Sequence, residues 1–382
     1  MTYDVSITSW DGEKTFHVYG TKEGDEGVYL LQEPVGLLDA DIKPVWQSTT
    51  NSVGARPISV DYPPRDLTLP FGVVDDALGA SWRATEDAFR QSFSELHDST
   101  ISVTTESGTR TLKCRLFDKP NVDNKEDPAT RGIVKCIYTL RAGNPMWQGE
   151  KKELTWTFNG RNFYDTITVS NPGDRPLWPQ WVLQGATSVV LPDIDIEHNK
   201  EHYVTMPFQM PGQNVLVDTR PGVEEAVCAG HPMWLATVPD HFLYPLPPHT
   251  ESYELPIIMN PFPFADDIMA SLGLPTRIDH RLIVETAKAL SGIMDGVSDT
   301  ELAQLTENTL AGYIMQGLET AKTFVDNVVV EAVAAITAGT IGRLLKATYN
   351  VIPSMQNQQV GLVLPVEYSR PWGMEAVSYT HL

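Results

Sequence analysis

Cysteine is scarce in this chain of 382 residues: there are three, Cys114, Cys136 and Cys228. None forms a CxxC pair, which argues against a disulfide framework or a zinc knuckle. Cys114 in KCRLF and Cys136 in VKCIYTL sit in strand-like runs, so buried reduced thiols from a reducing cytosol are the simple account. Positive charge is also short: 28 basic residues stand against 49 acidic ones, for a formal charge of −21. The densest basic stretch is the doublet Lys151–Lys152. A surface of this sign repels phosphate backbones and anionic membranes, so nucleic-acid binding is not expected. Long apolar runs are missing too. The most apolar one, Val328 to Ile336, is too short to cross a bilayer and contains Glu331. The opening MTYDVSITSWDGEK lacks a basic stretch followed by an apolar one, so no secretion signal is expected. There is no GxSxG, no P-loop and no HExxH.

Proline and glycine are plentiful, at 28 and 27 residues, and most lie in the first two thirds of the chain. Turns at short intervals predict β-rich architecture there. Within 1–150, Thr2–Ser9 alternates, Asp11-Gly12 offers a hairpin turn, and Thr15–Tyr19 follows. Val28–Gln32, Lys43–Ser48 and Asp66–Val74 are further strands, the last after Pro63-Pro64. Residues 77–97 switch period: Trp82, Phe89, Phe93 and Leu96 share one face of a helix, with Glu86 and Asp87 in its early turns. That aromatic face is expected to pack on a sheet. Ser99–Thr105, Thr111–Phe117 and Gly132–Arg141 complete this first domain.

Residues 151–262 read as a second all-β unit of about eight strands, a sandwich or jelly roll. Leu154–Phe158 leads to Asn159-Gly160, the strongest short hairpin signal, and on to Asn162–Ser170. Trp181–Leu191, Glu201–Gln209, Asn214–Thr219, Met233–Val238 and Ser252–Met259 follow. Between them lies NPGDRPLWPQW, residues 171–181. Asn171-Pro172-Gly173-Asp174 is a good turn, and Arg175-Pro176 and Trp178-Pro179 force extended backbone after it. At a spacing of three in an extended segment, Trp178 and Trp181 cannot point the same way. One should enter the core and the other lie on an edge or an interface, with Arg175 able to stack on a Trp face. An aromatic-stapled corner, a partner contact and a sugar-stacking site all remain open readings. Arg175, Trp178, Trp181 and, in the later SRPWG turn, Trp372 are the interface candidates.

Residues 266–350 are nearly free of proline and rich in Ala, Leu, Glu and Thr. Helices are predicted over 277–295, 299–337 (with a break near Gly317) and 338–350. Ser298 or Asp299 supplies the N-cap of the second, with Glu301 in its first turn. Residues 351–382 return to a strand, GLVLPVEY, and a tail.

Two clusters carry possible chemistry. Glu197, His198, Glu201 and His202 in IEHNKEHY include a His pair at metal-ligand spacing, but the stretch reads as a solvated hairpin turn. Asp193, Asp195 and Glu197 alternate along DIDIE, and paired carboxylates can cleave glycosidic bonds. Nothing else in the sequence supports catalysis, and a strand with one polar face is the account taken for them. No catalytic, cofactor-binding or metal-binding residue is assigned.

The corner VSNPGDRPLWPQW, LPD at 191–193, VDTRPG at 217–222, HFLYPLPPHT at 241–250 and the terminal SRPWG, taken in order and spacing, resemble the distal tail proteins of long non-contractile-tailed bacteriophages. VYLLQEPVGLLDADIKPVWQ and GARPISVDYPPRDLTLPFGV resemble the opening strands of that family's ring domain. The resemblance covers 1–260 and the last dozen residues; the helical block departs from it. It implies a mainly β protein with an N-terminal ring-forming domain carrying one helix, a galectin-like β-sandwich and a C-terminal α-helical block. It implies a structural, non-enzymatic virion protein at the phage tail tip, synthesised in the host cytoplasm. Its copies would form a hexameric ring joining the tail tube protein to the tape measure and baseplate proteins, with a lumen for DNA, no specific nucleic-acid binding and no membrane insertion. An acidic lumen would let DNA slide. The alternative is a tail-tip carbohydrate-binding protein engaging the host envelope through Trp147, Trp156, Trp178, Trp181 or Trp234.

Overall fold

The computed structural model describes residues 3–32, 34–48, 50, 53–75, 79, 81–122, 130, 132–184, 188–207, 209, 213–223, 226–228, 231–232, 241–261, 280–298, 300–301, 312–313, 316, 320 and 358–373. It is mainly β. Two compact units emerge: Met1–Glu150 with Pro172–Arg175 and Val366–Leu382, and Lys151–Asn171 with Pro176–Pro365. The expected strand Met233–Val238, Trp234, the helix 338–350 and most of the helix 299–337 lie outside the described residues.

In the first unit, alternating residues build an antiparallel sheet of nine strands. Its members include β1 (Asp4–Thr8), β2 (Thr15–Tyr19), β3 (Val28–Leu30), β6 (Arg65–Val73), β7 (Ser99–Thr105), β8 (Gly108–Val122), β9 (Val134–Ala142) and β10 (Trp147–Gln148). The main path runs β2-β1-β7-β8-β9-β6-β3, and Glu367–Tyr368 pairs with β10. β4 (Lys43–Gln47) and β5 (Arg56–Asp61) stand apart as a two-stranded sheet of their own. The period of two puts Leu67, Leu69 and Phe71 of β6 and Cys136, Tyr138 and Leu140 of β9 inside.

The helix α1 (Trp82–Gln91) starts where the Trp82 amide donates to Asp75 Oδ1 at 2.7 Å. Phe89, wholly buried, meets Phe16, Phe71 and Tyr138 edge-on with ring centroids 4.9–5.3 Å apart. Such contacts add about 0.5–1.5 kcal/mol each to simple burial. Phe93 joins the cluster, but the helix ends at Gln91, so Leu96 lies beyond it and is 74% exposed.

The second unit holds two sheets. One runs β11 (Lys152–Thr157), β20 (Gln359–Leu364), β13 (Gln180–Gln184), β16 (Asn214–Asp218), β17 (Ala226–Cys228), β18 (His231–Pro232). The other runs β12 (Tyr164–Asn171), β19 (Thr250–Met259), β14 (Val189–Pro192), β15 (Tyr203–Thr205). Two sequence readings are corrected here. Asn159-Gly160 does make a turn, with Gly160 at φ +86°, but it is not a hairpin. The strands on either side join different sheets, β11 pairing with β20 and β12 with β19. Trp181–Leu191 is likewise two strands, β13 and β14, one in each sheet. Trp156 Nε1 donates to Asp165 Oδ2 at 2.9 Å and Phe158 meets Phe163 edge-on at 5.0 Å, which ties the start of β12 to β11.

The helix α2 (His280–Met294) buries Leu282, Ile283, Ala287 and Leu290. Ser291 Oγ accepts the Tyr164 amide at 2.8 Å. After it, Ser298 and Glu301 form a reciprocal capping box: Glu301 Oε2 accepts the Ser298 amide at 3.0 Å and Ser298 Oγ accepts the Glu301 amide at 3.3 Å.

Candidate assembly interface

The corner at 171–181 answers its own puzzle by dividing its residues. Asn171 is buried and donates through Nδ2 to the carbonyls of Leu246 and Pro247 at 3.3 and 3.0 Å. Trp181 is the ring that enters the second unit's core, 1% exposed, so it offers no surface to a partner. Trp178 is half-buried.

The four residues 172–175 belong to the first unit, where they meet the end of the chain. Asp174 Oδ1 accepts the Ser369 amide at 2.8 Å, and Oδ2 accepts the Ser369 hydroxyl. Arg175 does stack on an aromatic ring, but on Tyr62 rather than on a tryptophan: its guanidinium lies 4.4 Å from the Tyr62 centroid and donates to the Tyr62 hydroxyl at 2.7 Å. Trp372 lies 4.6 Å from Tyr3, which in turn stacks on Tyr19 at 4.8 Å.

These contacts surround a buried arginine that the sequence did not single out. Arg65 opens β6 and is 1% exposed. Its Nη1 reaches the carbonyls of Gly36, Leu37 and Leu38 at 3.3–3.5 Å, and Nη2 donates to the Ser369 carbonyl at 3.1 Å. Burial pushes its pKa down to about 10, so at neutral pH the guanidinium is still charged. The turn it holds needs glycine: Gly36 has φ +78°, and a Cβ there would lie 2.1 Å from the Asp66 carbonyl oxygen. Beside it, Arg110 donates to the Arg370 carbonyl at 2.8 Å and stacks 3.5 Å from the Tyr368 ring. Arg370 grips Asp39 with two hydrogen bonds, at 2.6 and 2.9 Å, and these hold the Asp39 carboxyl below its ordinary pKa.

Residues 366–373 are therefore strapped to the first unit; Arg370 grips one leg of a projection at Asp39, and Arg175 holds the other at Tyr62. Leu37–Asp39 leads into β4, and Tyr62 follows β5. Beyond this base, all five residues of β4 and all six of β5 are exposed. They form an arm whose base is fixed and whose blade is bare. Its signals were present in the sequence: the Pro63-Pro64 hinge and a stretch, 42–60, without any acidic residue.

The aspartates and histidines of these clusters hydrogen-bond within the fold. Asp193 is 3% exposed and accepts the Leu243 and Tyr244 amides at 2.8 and 2.9 Å, with His202 Nδ1 at 2.7 Å. Asp195 instead closes the turn, accepting the His198 amide at 3.1 Å and facing His198 Nδ1 at 2.9 Å. The two histidines thus go to different aspartates. Among the described residues, no group of three or more His, Cys, Asp or Glu side chains could hold a metal ion. Trp147 and Trp156 are buried as well as Trp181, which leaves Trp178 as the one described indole of the sugar-binding set that is partly open.

No protein-family model matches the chain. Minor tail protein Gp27 of Mycobacterium phage L5 is 24% identical over 308 residues, spanning 66% of this chain and 90% of the relative. Minor tail protein Gp27 of Mycobacterium phage D29 matches with the same identity and coverage. Among solved structures, the SPP1 Dit (gp 19.1) protein superposes with a TM-score of 0.44 at 15% identity, over 66% of this chain and 96% of that one. A chain of the phage P2 baseplate in its activated conformation with Ca superposes with a TM-score of 0.39 at 11% identity, over 68% and 98%. By sequence, the chain is a homologue of the mycobacteriophage minor tail protein Gp27.

Proposed function

We propose that this chain is a structural subunit of a phage tail tip, a distal tail protein whose copies close into a hexameric ring. The ring joins the end of the tail tube to the tape measure and baseplate proteins and leaves a lumen through which DNA passes. The homology to minor tail protein Gp27 over 308 residues carries this reading. The geometry supports it in two ways. Two carboxylates of the DIDIE cluster, Asp193 and Asp195, are engaged by backbone amides and turn closure. The first unit also projects a bare arm from a fixed base, as a subunit built for lateral contact would. The charge of −21 suits a channel that DNA crosses without sticking.

On this reading the protein is a virion component without an enzymatic role. Among the described residues, no helix is long and apolar enough to cross a membrane. Gold-labelled antibody against the chain, applied to intact phage, tests the reading. Label at the distal end of the tail is expected. Label along the tube, or none on the particle, overturns it.

A further inference from the structure

We propose that residues 366–373 are a latch that closes the first unit only after the second has been made, so that a chain cut short before residue 366 has no finished first unit to bring to an assembly. The first unit is discontinuous. Met1–Glu150 and Pro172–Arg175 are completed by Val366–Leu382, and the rest of the second unit is encoded in between. The strap ties together parts of the first unit that are far apart in sequence. Glu367 and Tyr368 pair with Gln148 and Trp147, and the Val366 carbonyl accepts the Gly149 amide at 2.8 Å. Glu367 Oε1 accepts from Asn144 Nδ2 and Gln148 Nε2 at 2.8 and 2.9 Å. Ser369 meets Arg65 and Asp174, Arg370 meets Asp39 and Arg110, and Trp372 meets Tyr3.

The seat is shaped for the strap. Tyr368 is buried, with the Arg110 guanidinium 3.5 Å from its ring centroid. At Gly149 a Cβ would come within 2.7 Å of Tyr368 Cε2, so the ring packs where only glycine leaves room. Arg65 and Arg110 are both buried, and each gives a donor to a strap carbonyl, at 3.1 and 2.8 Å. A guanidinium is costly to bury without acceptors, so the burial of these two cations is coupled to the strap. Domains usually fold as they emerge, N-terminal first. Here the strap follows residue 150 by roughly 10–45 s at 5–20 residues per second, and its contacts close one of the longest loops in the chain. The latch stands on these contacts; the exclusion of shortened chains rests on the proposed assembly.

The test holds the full chain on the ribosome behind an added C-terminal linker and follows its reaction with a maleimide–polyethylene glycol tag, counted by gel shift. A short linker keeps residues 366–373 inside the ribosome, and a long one frees them. Cys114 and Cys136 are buried in the first unit, whereas Cys228 belongs to the second. Cys114 and Cys136 should react ~10-fold faster or more behind the short linker. Equal protection behind both linkers means that the first unit closes without the strap, and overturns the proposal. The released full chain carrying Tyr368→Ser separates unlatching from general loss of fold. Its amide hydrogen exchange should quicken ~10-fold or more in β6 and β9 and stay unchanged in β12 and β19. Quickening in both units alike, or in neither, overturns the latch. Light scattering then tests the consequence. A Tyr368→Ser chain that assembles as the wild type does overturns the exclusion of unfinished chains. A wild-type chain that is latched yet monomeric upholds the latch and overturns the ring.

Discussion

Replacing Arg65 with Ala removes a side chain that ties the turn at 36–38 to the strap at Ser369. Hydrogen bonds from a charged donor are worth about 1.5–3 kcal/mol each. The two shortest here reach Ser369 and Leu37 at 3.1 and 3.3 Å, for a gross loss of roughly 3–6 kcal/mol. Relief from burying a guanidinium offsets part of that loss. The net expectation is a destabilisation of about 2–4 kcal/mol, a melting temperature lower by ~5–15 °C for a unit of this size. Arg65→Met separates donors from volume: it fills the site without bonding the carbonyls, and should still lose about 2 kcal/mol. Chemical denaturation measures both variants, and limited proteolysis should show faster cleavage near Ser369. The reasoning fails if both variants unfold within ~0.5 kcal/mol of wild type, since the carbonyls would then have no need of the charge.

Phe89→Ala empties the centre of the aromatic cluster and should cost about 3–5 kcal/mol, read in a urea melt. Asp193→Ala leaves the Leu243 and Tyr244 amides without their acceptor, and a loss of about 2–4 kcal/mol is expected in the same assay. Burial pushes the Cys114 and Cys136 thiols from 9.0 up to about 12. Their folded pKa values are raised, so the stability they contribute is full below pH 9.0 and is lost as pH climbs toward about 12. Thermal melts across that window should fall steadily, and a flat profile contradicts the burial. At neutral pH a thiol reagent should titrate Cys228 in the native protein, and Cys114 and Cys136 only after unfolding.

Local features were the legible ones. Phe89 announced the buried face of α1 by spacing, with Phe93 joining its cluster just past the helix end, and Ser298 with Glu301 announced a helix start that the structure caps reciprocally. Asp11-Gly12 likewise marked the turn between β1 and β2, with Gly12 at φ +78°. Partnership was not legible. Asn159-Gly160 gives a turn, but nothing nearby says that Trp156 pairs with Val360 at the far end of the chain. The run from Trp181 to Leu191 looks like one strand because a change of sheet leaves no periodic trace beyond Gly185. Arg175 was expected on an aromatic face; the choice of Tyr62 depends on a fold that brings residues 113 positions apart together. The arm escaped notice for a related reason. Apolar alternation in KPVWQ and RPISVD predicts cover on one face and does not reveal that the chain itself leaves that face bare.

The central claim is assembly into a ring through the first unit. The most direct measurement is the mass of the purified full chain by light scattering, with negative-stain images of the same sample. The account predicts particles of six times the chain's own mass with a central hole. A monomer that persists at high concentration, with no ring in any image, would contradict it.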